Sequence, residues 1–455
     1  MRSTIWALAL VGCWAAAVTL TSELSGAEET APAAVAPSPG AIAPAEQRPA
    51  EPAKEAANET TKPSAPIVAK PVADFVQQGV EWLVKAQHND GGWGGGSHAA
   101  QNVLDPHAVP TDPATTAFSL LALLRAGHTP AEGDHYPQVR KGLTYLVDAV
   151  EKADEEGPLI TKIEGTQPQT KLGRQVDTAL AAQYLARVLP MLAEDDALRP
   201  RVDAALDKCL IKLQQSQQAD GSWGGGGGWA PVLQSSLGCS AMQLAKGVGK
   251  KVDEQVLDRA VRYQNGNVDE KSGRADASDA AGVELYAFNG AFRGNAAGAR
   301  VAQDFFSKAV SDGRLEADAQ ISEETLVEAG AAPQEAVRLS ASFRQNQAQI
   351  DRLGDETLLK GFGNNGGEEF LSYLMTSESL VIAGGDKFNH WNDKMHGRLQ
   401  KVQNGDGSWS GHHCISSPVF CTAAVVQCLT TDRDAEFLVS MAKANDASKL
   451  SQAGK

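Results

Sequence analysis

Apolar positions along this chain fall into two alternating patterns. The stretch Asp74–Gln87 carries a single apolar stripe at helical spacing, which predicts a helix with one face in solvent. The stretch Ala114–Ala126, containing Phe118-Ser119-Leu120-Leu121-Ala122-Leu123-Leu124, is apolar nearly all round and predicts a helix buried on most sides. Further predicted helices are Gln175–Leu189, Asp276–Phe292, Glu368–Ala383, Trp391–Gln403 and Pro418–Leu429. Between Ala297 and Leu359 the pattern weakens to a charged helical stretch. Alternating amphipathic and apolar helices predict an all-α ring, amphipathic helices outside and apolar ones inside.

A repeat punctuates the pairs. Gln87-His88-Asn89-Asp90-Gly91-Gly92-Trp93, Gln217-Gln218-Ala219-Asp220-Gly221-Ser222-Trp223 and Gln403-Asn404-Gly405-Asp406-Gly407-Ser408-Trp409 share Gln-x-x-Asp-Gly-x-Trp, each preceded by a leucine (Leu83, Leu213, Leu399). In each, Asp-Gly ends a helix with a turn of positive φ, and the tryptophan packs back as a wedge whose N–H needs an acceptor. The gaps between motifs fit two and three units of about 60 residues, one helix pair with its loops. Degenerate copies at Lys141-Gly142-Leu143 and Arg259-Ala260-Val261 fill the gaps, so six pairs are expected.

Gln-x-x-Asp-Gly-Ser-Trp, with its upstream leucine and Lys208 or Lys394 further back, resembles the QW repeat of squalene-hopene and oxidosqualene cyclases. Those enzymes share an (α/α)6 toroid with protein prenyltransferases. The resemblance covers about Asp74 to Asp432 and implies that fold. It does not bring the family chemistry with it. The cyclase Asp-x-Asp-Asp acid is absent; Thr111-Asp112-Pro113 and Asp276-Ala277-Ser278-Asp279 come nearest. Aromatic residues make up only 6% of the chain, few for a carbocation cavity. The prenyltransferase Asp-x-Cys zinc pair does not occur, and Cys239 to Gln243 is one residue too long for the thioester motif of complement-type toroids.

The termini read differently. Arg2, an apolar run from Ile5 to Leu20 and Ser25-Gly26-Ala27 form a signal-peptide layout over 1–27 and predict export, periplasmic or secreted; Leu10-Val11-Gly12-Cys13 leaves a lipid anchor as a minor option. Residues 28–71, rich in Ala, Pro, Glu and Thr, read as a disordered tether. The toroid is assigned to 72–432 and a C-terminal helix and tail to 433–455, with no membrane-spanning segment in the mature chain. A net charge of -15 and no basic stripe argue against a nucleic-acid partner. After removal of Cys13, five cysteines remain; Cys421 and Cys428 sit too far apart on one helix to bridge, while Cys414 with Cys421 is feasible.

Aligning the inner helices gathers polar residues at one mouth. Asp112, Arg174, Asp276 and Glu368 fall at or near helix starts; Thr115, Asp177, Ser235, Asp279 and Cys421 fall one turn further in. Asp276 and Asp279 would share a helix face and form an acid–base pair for sugar-bond hydrolysis. Of the adjacent Glu368 and Glu369, only one would line the mouth. His412, His413 and Cys414 near Cys421 offer zinc-ligand types at no established spacing, which leaves metal and cofactor open. The catalytic candidates are thus Asp177, Asp276, Asp279, Glu368 and His413. The ligand contacts are Asp112, Thr115, Arg174, Ser235, His412 and Cys421. With no decisive motif, the expectation is a ring that binds a polar ligand, a glycan or a protein segment in an acidic central cavity. The alternatives are an exported glycoside hydrolase or lyase and, more remotely, a cyclase-like enzyme.

Overall fold

A computed structural model describes residues 67–266, 268–269, 271–384 and 386–453, with side chains described as far as Asn445. The expected signal peptide and most of the expected tether lie outside the described residues. Among those residues the fold is all-α, with isolated bridges and no strand. Twelve helices alternate between two rings: α1 Asp74–Lys85, α2 Pro113–Arg125, α3 Tyr136–Lys152, α4 Val176–Val188, α5 Leu198–Ser216, α6 Pro231–Gly247, α7 Glu254–Asn265, α8 Glu284–Ser311, α9 Pro333–Asp351, α10 Gly367–Ala383, α11 Lys387–Gln400 and α12 Pro418–Leu429. The even-numbered helices form the inner ring. Each packs on the next, α2 on α4, α4 on α6, and so on through α8 and α10, until α12 packs back on α2. The odd-numbered helices cover the outside, which makes an (α/α)6 toroid.

Burial follows the apolar pattern. Every residue of α2 and of α12 is buried, whereas α1 buries only Val76, Gly79, Val80 and Leu83. Proline at the first turn of α2, α6 and α12 sets the helical φ where no intrahelical N–H bond is lost.

The repeat is the fastener of the ring. Trp93, Trp223 and Trp409 donate their indole N–H to the carbonyls of Leu83, Leu213 and Leu399 at 2.8, 2.9 and 2.8 Å. Their backbone N–H groups reach the hydroxyls of Thr116, Ser235 and Thr422 on the following inner helix at 2.9, 3.0 and 2.9 Å. Each motif glutamine donates across to the next outer helix: Gln87 to the carbonyl of Gln138, Gln217 to Val256, and Gln403 to Phe75. That last bond, at 2.7 Å, joins the sixth pair to the first. Gly407, at φ +94°, sits where a Cβ would come within 3.0 Å of the Gln78 carbonyl, so only glycine fits. Gln403→Ala, which cuts the tie to α1 and leaves the Gly407 carbonyl without its donor, should cost about 1–3 kcal/mol, read as a lowered urea midpoint with an unchanged slope.

Two expectations are corrected. The predicted helix Asp276–Phe292 begins only at Glu284 and continues to Ser311, because a tight turn over Ser278–Ala280 and a left-handed Ala281 break it first. Beyond the ring, the far half of α8 packs with the short helix Glu323–Glu328 and the start of α9 around a separate core of Phe306, Leu326 and Leu339. Cys414 and Cys421 do not bridge: all five described cysteines are free thiols. No helix among the described residues is long and apolar enough to cross a membrane.

Candidate functional site

The N-terminal ends of the inner helices converge as expected, but the space between them is filled. A short helix, Gln167–Leu172, with all but Thr170 buried, lies among these ends. The Gln167 Oε1 accepts the N–H groups of Ser416 and Ser417 before α12, at 2.7 and 3.0 Å. The Lys171 carbonyl accepts those of Trp229 and Ala230 before α6. Gln169 donates to Asp177 on α4 at 2.7 Å. Sequence patterning missed this plug because it is a single turn of polar residues.

Asp112 and Asp177 are spent on backbone. Asp112 caps α2 through Thr115 N–H and also accepts from Gly95 N–H, both at 2.7 Å; Asp177 accepts from Ala114 N–H at 3.0 Å. Burial, then the neighbouring Asp112, pushes Asp177 up to about 7; burial likewise raises Asp112. Thr115 is buried beside them, and Ser235 serves the Trp223 turn. Arg174, just before α4, turns to Glu164 and pairs with it at 2.5 Å. Asp276 and Asp279 are exposed on the loop before α8, Asp276 capping Ser278 N–H and Asp279 accepting from the Tyr263 hydroxyl. They share no helix face, and the expected acid–base pair is not formed.

A different group of acids is brought together at the start of α10. Gly367 opens that helix, so Glu368 and Glu369 lie in its first turn, where the helix dipole favours negative charge. Both are buried, and they point to different neighbours. Glu368 Oε2 accepts the Ile415 N–H at 3.2 Å, and burial, then the neighbouring Glu369, raises its carboxyl to about 7. Glu369 Oε1 is fixed by the Tyr286 hydroxyl at 2.6 Å and by the Phe362 N–H at 2.9 Å. Its Oε2 has no hydrogen-bond partner and faces His413 Nε2 at 3.6 Å. Burial and the two glutamates hold Tyr286 far above the ordinary tyrosine range, so its hydroxyl stays a donor. The His413 ring leans on Phe362, centroids 5.2 Å apart, and Phe362 is 61% exposed. His413 thus lies between the exposed Phe362 ring and the buried carboxylate, with both ring nitrogens themselves buried. His412 is exposed and donates its backbone N–H to Asn365. Cys421 is buried against the Ile415 carbonyl, its thiol raised well above the ordinary value by burial. Cys414, at φ +58°, has its thiol raised to about 12 by burial and by Glu368. Neither thiol is activated as a nucleophile. Among the described residues no group of three His, Cys, Asp or Glu side chains has metal-site geometry.

A second charged group lies at the opposite ends of the inner helices. Asp434 accepts a two-pronged contact from Arg187 on α4, at 2.7 and 2.6 Å, and another from Arg125 on α2 at 2.6 Å. Arg125 also reaches Glu378 on α10 at 2.6 Å. The C-terminal helix α13, Ala435–Ala453, follows directly and packs on α6, α8 and α10. Its Phe437 lies under the Arg187 guanidinium. These groups are mutually paired and structural.

Fold and site together define a helical toroid whose interior is plugged, with an acid–histidine–tyrosine cluster at one end. Residues 64–158 match the family model of the squalene-hopene cyclase C-terminal domain. Solved structures with a similar course include the GH76A alpha-1,6-mannanase from Salegentibacter sp. HEL1_6, at 11% identity over 80% of this chain and 99% of that chain, TM-score 0.48. An inactive variant of the same mannanase with alpha-1,6-mannotriose gives 10% identity over 82% and 98%, TM-score 0.48. No curated protein matches the sequence. The resemblance read from the repeat agrees with the family-model match over residues 64–158 and with the all-α toroid. The expectation of a ring that only binds is corrected. The short helix Gln167–Leu172 occupies the place of the expected acidic cavity, and the α10 cluster instead holds a buried carboxyl of raised pKa, Glu368, next to a second buried carboxyl, Glu369.

Proposed function

We propose that the chain is an exported enzyme that cleaves glycosidic bonds, a hydrolase acting on a polysaccharide or cell-envelope glycan. The observation that carries this reading is the carboxyl pair at the start of α10. Glu368 keeps a proton up to about pH 7, and Glu369 presents one unpartnered oxygen toward His413. Glycoside hydrolysis needs that division of labour: one carboxylic acid protonates the leaving glycosidic oxygen, and a carboxylate takes a proton from water. Glu368 is assigned the acid role and Glu369 the base role. Tyr286 and the Phe362 N–H hold the second carboxylate in place, and His413 covers its free oxygen. The exposed Phe362 ring offers an apolar face for a sugar ring. Access requires the loop 360–366 to yield at His413, and its Gly361 and Asn364, both at positive φ, are suited to that.

The test is reducing-sugar release from a panel of polysaccharides, alpha-1,6-mannan among them. Glu369→Gln should lower kcat by about 10²–10⁴-fold with little change in KM, the usual loss for a removed general base. A panel on which the wild-type protein releases nothing would sink the proposal.

A further inference from the structure

Arg174 stands between two clefts beside the start of α4. One, of about 700 Å³, is walled by Gly157–Leu159 and by Gly225–Gly227, with Gln175, Gln215 and Gln218 between. The other, of about 550 Å³, continues past Arg174 toward Lys162 and shares Gly157, Pro158 and Leu159 with the first. Both volumes suit a small organic ligand; the smaller cleft also carries Asp154, Glu156 and Glu164, so an acidic group is best seated in the larger, beside Arg174.

Three observations describe what fits there. Arg174 is the sole charged residue lining the larger cleft. Its one ion pair, Nη2 to Glu164, is with a side chain that is mostly in solvent, so little holds it. Its Nε is buried with no acceptor, and the Oε1 of the buried Gln175 has no donor. A guanidinium with uncommitted donors fits the two oxygens of a carboxylate, and side-chain amides, each both donor and acceptor, fit neighbouring hydroxyls. The glycine wall keeps the cleft open: a Cβ on Gly226 would make only ordinary contacts with Arg174 and Gln175, so nothing but the missing side chain leaves that space.

We propose that these clefts bind a glycan segment bearing a carboxylate, as in a uronic acid residue. The carboxylate sits on Arg174 and the hydroxyls on Gln175, Gln215 and Gln218. The proposal rests on the glycan-cleaving reading for the kind of ligand and adds the acidic sugar. Only Leu172, the end of the short helix, and the Gly173 turn separate Arg174 from Lys171. Lys171 lies on the Glu368 side of that helix, with its ammonium over the exposed Trp229 ring at 3.7 Å. A chain held in the clefts is therefore one strap away from the α10 cluster.

Calorimetric titration of the full chain carrying Glu368→Gln, with a galacturonate tetramer and with mannotriose, separates binding from turnover. The tetramer should bind more tightly than mannotriose. Adding Arg174→Gln should weaken the tetramer by roughly tenfold or more and leave mannotriose unchanged, as loss of a charge-assisted pair requires. Gly226→Leu, which fills the cleft, should weaken both. Equal affinities for the two sugars, an Arg174→Gln titration like that of its parent, or no binding of either sugar would overturn the proposal. Binding in this pattern by a wild-type protein that cleaves no glycan would overturn the catalytic assignment and leave the cleft standing.

Discussion

Asp434→Asn should cost about 3–5 kcal/mol of unfolding free energy at pH 7, the usual loss when one partner of a buried ion pair is removed. The carboxylate is 6% exposed and is shared by two guanidinium groups from different inner helices. Asparagine keeps the shape but leaves Arg187 with no anion and Arg125 with Glu378 alone. A bare guanidinium at this depth cannot shed its charge as a lysine would, so the penalty falls on the fold. Burial by itself would raise the Asp434 carboxyl, but Arg125 and Arg187 outweigh it and hold the group well below the ordinary carboxylate range. A depressed carboxyl stabilises the fold above its unfolded value and stops doing so only as pH falls through the folded one. The wild-type advantage over Asp434→Asn should therefore be full at pH 5 to 8 and shrink only in strong acid. Urea unfolding of both proteins across that range checks it. A difference under 1 kcal/mol at pH 7 would mean that the C-terminal segment does not lock the ring.

The ring was legible in the sequence because its fastener is local. Leucine, Asp-Gly and Trp recur at one spacing since the indole bonds the leucine carbonyl ten residues back, as Trp93 does with Leu83. The hydroxyl partners Thr116, Ser235 and Thr422 were not read from the sequence, because a hydroxyl a turn into an apolar helix carries no repeat signature. The site was less legible. Asp112 and Asp177 look like mouth acids but answer unpaired helix N–H groups, the commonest use of an acid at a helix start. Asp276 and Asp279 were misplaced because a propensity-based start ignores the turn that Gly282 makes at φ +75°. Glu369 rather than Glu368 faces His413, a choice set by Tyr286, 83 positions away, which no periodicity reports. Long-range side-chain pairs such as Arg187 with Asp434, 247 positions apart, are equally silent in sequence.

Glu368→Gln should lower kcat by about 10²–10⁴-fold, because an amide cannot give a proton to a leaving oxygen. The same substitution should also change how stability depends on pH. The folded Glu368 carboxyl is raised to about 7 by burial and by Glu369, from 4.5. Between those values the folded chain holds a proton that the unfolded chain has released. Stability from this group is therefore complete below pH 4.5, falls as pH rises toward 7, and levels off above it. The full span is worth about 3 kcal/mol at 1.36 kcal/mol per unit. Glutamine removes that fall, so the variant should gain on the wild-type protein from pH 5 to pH 8. Part of the slope should survive in the variant, since Asp177 is raised to about 7 as well and titrates in the same window. On the rate side, the wild-type protein should lose activity with a midpoint near pH 7 as the acid is deprotonated, a limb absent from whatever activity the variant retains. Paired urea melts and pH–rate profiles read both effects on the same two proteins. A variant as active as its parent, with an unaltered alkaline limb, would take the acid role from Glu368. A variant whose stability falls with pH as steeply as the wild type would show that this carboxyl is not the group protonated near neutral pH.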